Sequence, residues 1–220
     1  MKQTIVSSAL LIAALMLTGC AFNVGYNPAY LPGAAQAMGI PGKSLVVVDA
    51  ADENWVSSER PTSFTGSGTT LTIPIGVISR EIAVRVFGAA FTEGAEFRNM
   101  AGDTSGYQLV VRPKVTKFTY AYNGMQNLGF AVTLQADIDL HVILTTSDGR
   151  LLLDKVYASG LVNGDTYFMS GQPAEKVNKL VHITLFNLMT DAAKEAKQIM
   201  ASQPKRTQEK KTPGKADITI

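Results

Sequence analysis

Few residues in this 220-residue chain have side chains suited to chemistry. There is one cysteine, Cys20, and there are two histidines, His141 and His182. A lone thiol can act as a nucleophile, a metal ligand or an attachment point, but it has no intrachain disulfide partner. His141 follows Asp139 and Asp137 at two-residue spacing, so a strand would set all three on one face. Two carboxylates and an imidazole in that arrangement could ligate a divalent cation. A half-buried antiparallel strand also needs a polar outer face, and these residues supply one. No second cluster offers further ligands, so the expectation is no metal. His182 lies at the margin of a helical pattern and reads as a flanking surface residue. Asp52-Glu53 falls in a polar stretch, where adjacent acids are ordinarily solvated. Gly66-Ser67-Gly68 lacks the Lys-Ser/Thr of a phosphate loop, and no Gly-x-Ser-x-Gly elbow occurs. The side chains therefore suggest no catalytic residue and no cofactor.

Cys20 takes its meaning from what precedes it. Lys2 begins a positive leader, and Ile5 to Leu17 form an almost wholly apolar run that is too short to span a bilayer with its flanks. Residues 1–19 thus read as a secretory signal peptide. Leu17-Thr18-Gly19-Cys20 resembles the lipobox of bacterial lipoproteins. That resemblance implies cleavage before Cys20, acylation of its sulfur (palmitate being the usual label for such chains) and acylation of the new N-terminus. An ordinary signal peptide with an incidental cysteine is the alternative. Ala21 in place of Asp agrees with sorting to the outer membrane, as known in enteric bacteria. With Cys20 acylated no thiol remains, so the fold must stand on packing without disulfides.

The residues after the signal suffice for one well-filled domain with tails. The formal charge of +2 is unevenly spread: Ala21 to Ala201 holds 14 basic and 16 acidic residues. Beyond it lie Lys205, Arg206, Lys210, Lys211 and Lys215 against Glu209 and Asp217. A near-neutral domain argues against a nucleic-acid partner, which needs a basic surface interleaved with aromatics. Residues 202–220 read as a basic disordered tail that could touch acidic polymer or phospholipid head groups. Residues 20–42 carry no charge and include Pro28, Pro32 and Pro41. They read as a flexible tether, with Tyr26, Tyr30 and Leu31 able to pack on the domain or the lipid surface.

Residues 43–201 form the domain. Ser44 to Ala50 reads as a buried strand. Asp52 to Thr70 reads as a polar excursion, and Leu71 to Ile75 as a short extended piece limited by Pro74. Gly76 to Arg98 reads as a helix, with Ile78, Ile82, Val86 and Ala89 on one face and Val77, Val84, Phe87 and Phe91 on another. Tyr107 to Tyr120 is a strand interrupted at Pro113, most easily a bulge or an edge position, and Asn123 to Gly129 a turn and loop. Phe130 to Thr146 is a long strand with Ile138, Leu140, Val142 and Leu144 inward. It turns at Ser147-Asp148-Gly149 into a partner strand, Leu151 to Ser159. Gly160 to Gly171 reads as a polar loop, and Pro173 to Ala201 as a helix capped by Ser170 or Gln172. Leu180 and Ile183 fall on its polar side, either under a neighbouring loop or as a contact surface for a partner. Trp55 is either an interface anchor or folded back over a sheet edge.

The expectation is one α+β domain with a mainly antiparallel sheet of about four strands, in β-α-β-β-β-α order, and two helices on one face. This order behind a lipobox resembles the YajG-like family of bacterial lipoproteins. The resemblance is carried by Ser79-Arg80-Glu81, the pair LVVRPKVTKFTYAY and FAVTLQADIDLHVILTTSDGR, the strand KVYASG and the helix EKVNKLVHITLFNLMTDAAKEA. It implies a lipid-anchored envelope protein, generally at the periplasmic face of the outer membrane, without a reaction of its own. The leading function is then a non-enzymatic accessory subunit of an envelope assembly or transport complex, anchored through its lipid and contacting protein partners. One rival is a carrier of a lipid or cell-wall fragment, with a pocket lined by Phe87, Phe91 and Phe130. Another is a hydrolase of envelope polymers, which needs carboxylates converging in a cleft.

Overall fold

A computed structural model describes residues 20–65, 67–124, 131–168 and 173–202. The expected signal peptide, most of the basic tail, the Met125–Phe130 stretch and the proposed caps Ser170 and Gln172 lie outside the described residues. In chain order the elements are β1 (Cys20–Asn23), a 3-10 turn (Pro28–Tyr30), β2 (Ser44–Val47), α1 (Ala50–Glu53), β3 (Ser57–Glu59) and β4 (Thr69–Ile73). They continue with α2 (Ile75–Ala90), β5 (Ala95–Arg98), β6 (Leu109–Asn123), β7 (Ala131–Thr145), β8 (Leu151–Phe168) and α3 (Pro173–Ser202).

The fold is mixed α+β, but its strands form two sheets instead of one sheet of four. One has five strands in the order β5-β2-β6-β7-β8; the other has three, β1-β4-β3. The antiparallel part is the long β6-β7-β8 meander, whereas β2 lies parallel to both neighbours. Leu45 to Val48 are buried on both faces of the sheet, as a continuous apolar run demands. The expected helix Gly76–Arg98 ends early. Phe91 is extended at the C-terminus of α2, and the chain then enters β5, which pairs with β2. Four residues, AEFR, carry too short a pattern to separate from the helix before them.

Pro113 takes the edge position of its two expected settings and not the bulge: the register runs through it, and the bulge falls between Val115 and Lys117. β2 pairs only as far as Val111, so Pro113 lies where that edge of β6 has no ladder partner and no N–H is missed. β8 runs nine residues past its expected end at Ser159. Its second half pairs with the start of β7, Gln135 opposite Asn163 and Thr133 opposite Thr166. Two register shifts and a left-handed Gly160 (φ 60°) interrupt the alternation there, so the polar composition imitates a loop.

α2 lies over β2, β5 and β6, α3 over β7 and β8, and the two helices pack on each other. Ile78, Ile82, Ala83, Val86 and Phe87 from α2 meet Val181, Leu185 and Met189 from α3 above Ile138, Leu140, Val142 and Leu144 of β7. Each such side chain contributes about 1.5–3 kcal/mol of transfer free energy on full burial. Val77 and Val84 are only half-buried, so α2 has one buried face and a partly covered flank. Gly76, in the first turn of α2, sits directly against the carbonyls of Asp52 and Glu53; a Cβ there would collide with backbone.

Residues 20–42 are not a free tether. β1 pairs in parallel with β4, Ile40 bridges to Phe91, and Leu31, Met38 and Ile40 are buried in the main core. Apolar residues separated by Gly and Pro have no helical or strand period, so the sequence pattern does not show their burial. Ser202 belongs to α3, placing the start of the expected tail in a helix.

Candidate functional site

The candidate site is the end of the molecule where the chain enters at Cys20. The β1–β4 register sets Cys20 opposite Thr69, Ala21 opposite Thr70 and Phe22 opposite Leu71. Thr69 follows directly on the 60–68 connection, so this connection and Cys20 lie at the same end of the small sheet. The connection is fastened to β6: the Thr62 N–H donates to the Tyr120 carbonyl at 2.8 Å, and the Tyr122 N–H to Ser63 Oγ at 2.9 Å. Tyr120 Oη also donates to the Glu59 carbonyl at 3.0 Å. Burial pushes the Tyr120 phenol up to about 12, so it stays a neutral donor across the physiological range.

Behind this end, residues 25–30 are held to α3 by two buried polar side chains. Asn178 Nδ2 donates to the Gly25 carbonyl at 2.8 Å. The Asn27 N–H donates to His182 Nε2 at 3.0 Å, while His182 Nδ1 lies 2.8 Å from the Asn178 carbonyl. These partners require a neutral ring protonated on Nδ1. Tyr26 stacks on it at 5.5 Å and Tyr30 meets it edge-on at 5.6 Å. His182 is 0% exposed, which corrects its expected place on the surface. Desolvation lowers its pKa, outweighing the bond to Asn178. Sequence reasoning missed this latch. A signal was present in Asn178 and His182, four apart and flanking the apolar stripe, and in Tyr26 and Tyr30, four apart in a charge-free segment.

The other flagged groups are dispersed. Asp137, Asp139 and His141 share the open face of β7 as expected, but they find separate surroundings. Asp137 pairs with Lys117 at 2.6 Å, and His141 Nε2 lies 2.6 Å from Asp154 Oδ1. Among the described residues no three His, Cys, Asp or Glu side chains form a metal-sized group. Asp52 and Glu53 are engaged instead of freely solvated: Asp52 pairs with Lys114 at 2.9 Å, and Glu53 with Arg80, tying α1 to β6 and α2. Glu195 of α3 accepts from Lys155 at 2.6 Å and Tyr157 at 2.8 Å, fastening β8 to the helix.

Trp55 is half-buried, packed against the core, and its carbonyl accepts from the Gly76 N–H. With Ser79, Pro113 and Val115 it borders a recess with room for about one water. Leu180 is buried against β8 near Gly164, which removes it from any contact surface; Ile183 is half-buried. Phe87 and Phe91 are core residues and not pocket walls, and Phe130 lies outside the described residues. No helix among the described residues is long and apolar enough to cross a membrane.

No family model and no curated protein sequence matches the chain. Solved structures do. A Xanthomonas campestris protein of the DUF330 family is similar at 16% identity and TM-score 0.48, over 82% of this chain and 96% of that one. A minor lipoprotein from Acinetobacter baumannii is similar at 9% identity and TM-score 0.36, over 71% and 93%. A Helicobacter pylori protein, titled as a homologue of the neuraminyllactose-binding hemagglutinin, is similar at 10% identity and TM-score 0.44, over 77% and 91%. Likenesses of this size assign no ligand or partner to this chain.

Proposed function

We propose that this chain is a lipid-anchored envelope lipoprotein, a non-enzymatic accessory subunit of an assembly or transport complex at the periplasmic face of the outer membrane. The observation that carries the reading is continuity: Leu17-Thr18-Gly19-Cys20 leads straight into β1, so the residue that would be acylated is already part of the domain. An anchor built into a sheet holds the domain against the bilayer, where a loose tether would let it roam. Ala21 favours the outer membrane as the destination. The YajG-like resemblance points to the same class of protein.

The non-enzymatic reading is supported by the ion pairs of four of the titratable side chains weighed for chemistry: Asp52 with Lys114, Glu53 with Arg80, Asp137 with Lys117 and His141 with Asp154. Partner contact would fall to Trp55, Ile183 and the exposed Val156 and Leu161 of the edge strand β8, since Leu180 is buried. Metabolic labelling tests the anchor: the native chain incorporates labelled palmitate and fractionates with the outer membrane, and Cys20→Ser loses both. Palmitate retained by Cys20→Ser overturns the reading. For the complex, the acylated protein should co-purify reproducibly with the same envelope proteins after cross-linking; recovery alone, with and without cross-linker, overturns it.

A further inference from the structure

We infer that the Phe64 turn is a second membrane contact, inserting beside the acyl chains and fixing the orientation of the domain on the bilayer; this rests on the reading of Cys20 as the lipidated residue. Phe64 is 96% exposed, on a turn that is itself held in place. Ser63 Oγ accepts from the Tyr122 N–H and donates to the Thr65 carbonyl at 2.9 Å. Thr62 is fastened to Tyr120, and the Ser67 N–H donates to the Phe64 carbonyl at 3.1 Å. The turn therefore presents the ring outward from a fixed base. Its place supplies the occupant. The connection carrying Phe64 ends at Thr69, the residue opposite Cys20, and Phe22, 36% exposed, lies two residues beyond the anchor. Lipid leaving Cys20 brings the bilayer to this end, and an aromatic ring is suited to the interface between head groups and acyl chains. The adjacent Arg60 is exposed and has no ion-pair partner among the described residues, leaving it open to lipid phosphate.

The geometry has a consequence for orientation. β6 runs from Leu109 to Asn123 toward the Phe64 end, so the Ser147-Asp148-Gly149 hairpin stands at the far end, about 45 Å away at 3.3 Å per residue. α3 runs the opposite way: Lys179 pairs with Asp165 near the anchor end, whereas Glu195, later in the helix, pairs with Lys155 toward the hairpin. With two contacts the long axis would stand off the bilayer; with the anchor alone the domain would stay close to the membrane while its tilt remained free.

In the mature acylated protein Cys20 is blocked, so Phe64→Cys introduces the single free thiol, and Met100→Cys, at a 78% exposed site remote from the anchor, gives the control. Each is labelled with nitrobenzoxadiazole and reconstituted into phosphatidylethanolamine–phosphatidylglycerol vesicles, with floatation and N-terminal peptide mass read on the same samples. The expected result is a blue-shifted emission at position 64, quenched several-fold more by acyl-brominated lipid than at position 100. Equal, weak quenching at both sites on protein that floats and carries the lipid overturns the inference while leaving the anchor intact. Protein that carries no lipid on Cys20 overturns the anchor reading and this inference with it.

Discussion

The two histidines show what separates the faces of the long meander. His141 projects from the open face of β7 and meets a carboxylate in water; His182 lies under residues 25–30, stacked on Tyr26, met edge-on by Tyr30 and bonded on both nitrogens. On the open face, ion pairs are made in high dielectric and either partner can be lost at little cost. Beneath the N-terminal segment Asn178 Nδ2 and both ring nitrogens of His182 have specific partners, while Asn178 Oδ1 has none, and a buried donor or acceptor left unmatched costs about 1–3 kcal/mol. The same residue type is thus an ornament of the surface in one place and a latch in the other.

The comparison can be broken at its base by truncating the side chains beneath the helices. Leu140→Ala on the covered side should lose about 2–5 kcal/mol of unfolding free energy, whereas Asp139→Ala next to it should change by about 0.5 kcal/mol or less. Urea titrations of the two variants measure the contrast. At the latch itself, His182→Ala should cost about 1–3 kcal/mol, because the Asn27 N–H loses its acceptor and two tyrosines lose their ring. Faster amide exchange at Asn27 and Tyr30, with β7 still protected, would place the effect in residues 25–30; uniform exchange across both would count against a local latch.

A pH scan sharpens the same difference. Burial lowers the native pKa of His182 below its ordinary 6.5. The unfolded chain therefore takes up a proton first as the pH falls, so the native state binds fewer protons and stability drops. The contribution of His182 is full above the ordinary imidazole value and is lost as the pH descends toward the depressed native one. Protonation would also turn Nε2 from acceptor to donor in front of the Asn27 N–H. His182→Gln should flatten this part of the stability profile, and a profile unchanged by the substitution would contradict the buried neutral ring. The smallest effect belongs to the open face. Lys117→Ala and Asp154→Asn should each shift the unfolding midpoint less than Leu140→Ala or His182→Ala, an effect that fades in added salt.

Much of the meander was legible before any coordinates. Ile138, Leu140, Val142 and Leu144 alternate with Asp137, Asp139 and His141, and a period of two resolves to a strand with one buried face. Ser147-Asp148-Gly149 marked the hairpin for the same local reason, its glycine accepting a left-handed backbone (φ 82°). What local pattern misread were elements whose identity depends on a distant neighbour. β5 is a strand because β2 offers an edge beside it, and residues 160–168 are strand because the start of β7 does. Leu180 looked misplaced on a polar face until β8 extended far enough to cover it. In the site, the proposed anchor position was marked by Leu17-Thr18-Gly19-Cys20 and the latch only by the four-residue spacings of Asn178 with His182 and Tyr26 with Tyr30, while Phe64 had no signal of its own. Their roles come from pairing across 49 residues, Cys20 with Thr69, and across 155, Asn27 with His182.

By itself, then, the amino-acid sequence determined the α+β class, the lack of any intrachain disulfide and the alternating faces of its longest strands, all properties read from composition or encoded within a few residues of one another. The tertiary structure alone decided that residues 20–42 are part of the domain and not a leash. It also decided that one histidine is buried, and that the connection carrying an exposed phenylalanine lies at the same end of the small sheet as Cys20. Those outcomes depend on which segments come together when the core closes. The free energy that decides them belongs to contacts between residues far apart in the chain, which no local period records.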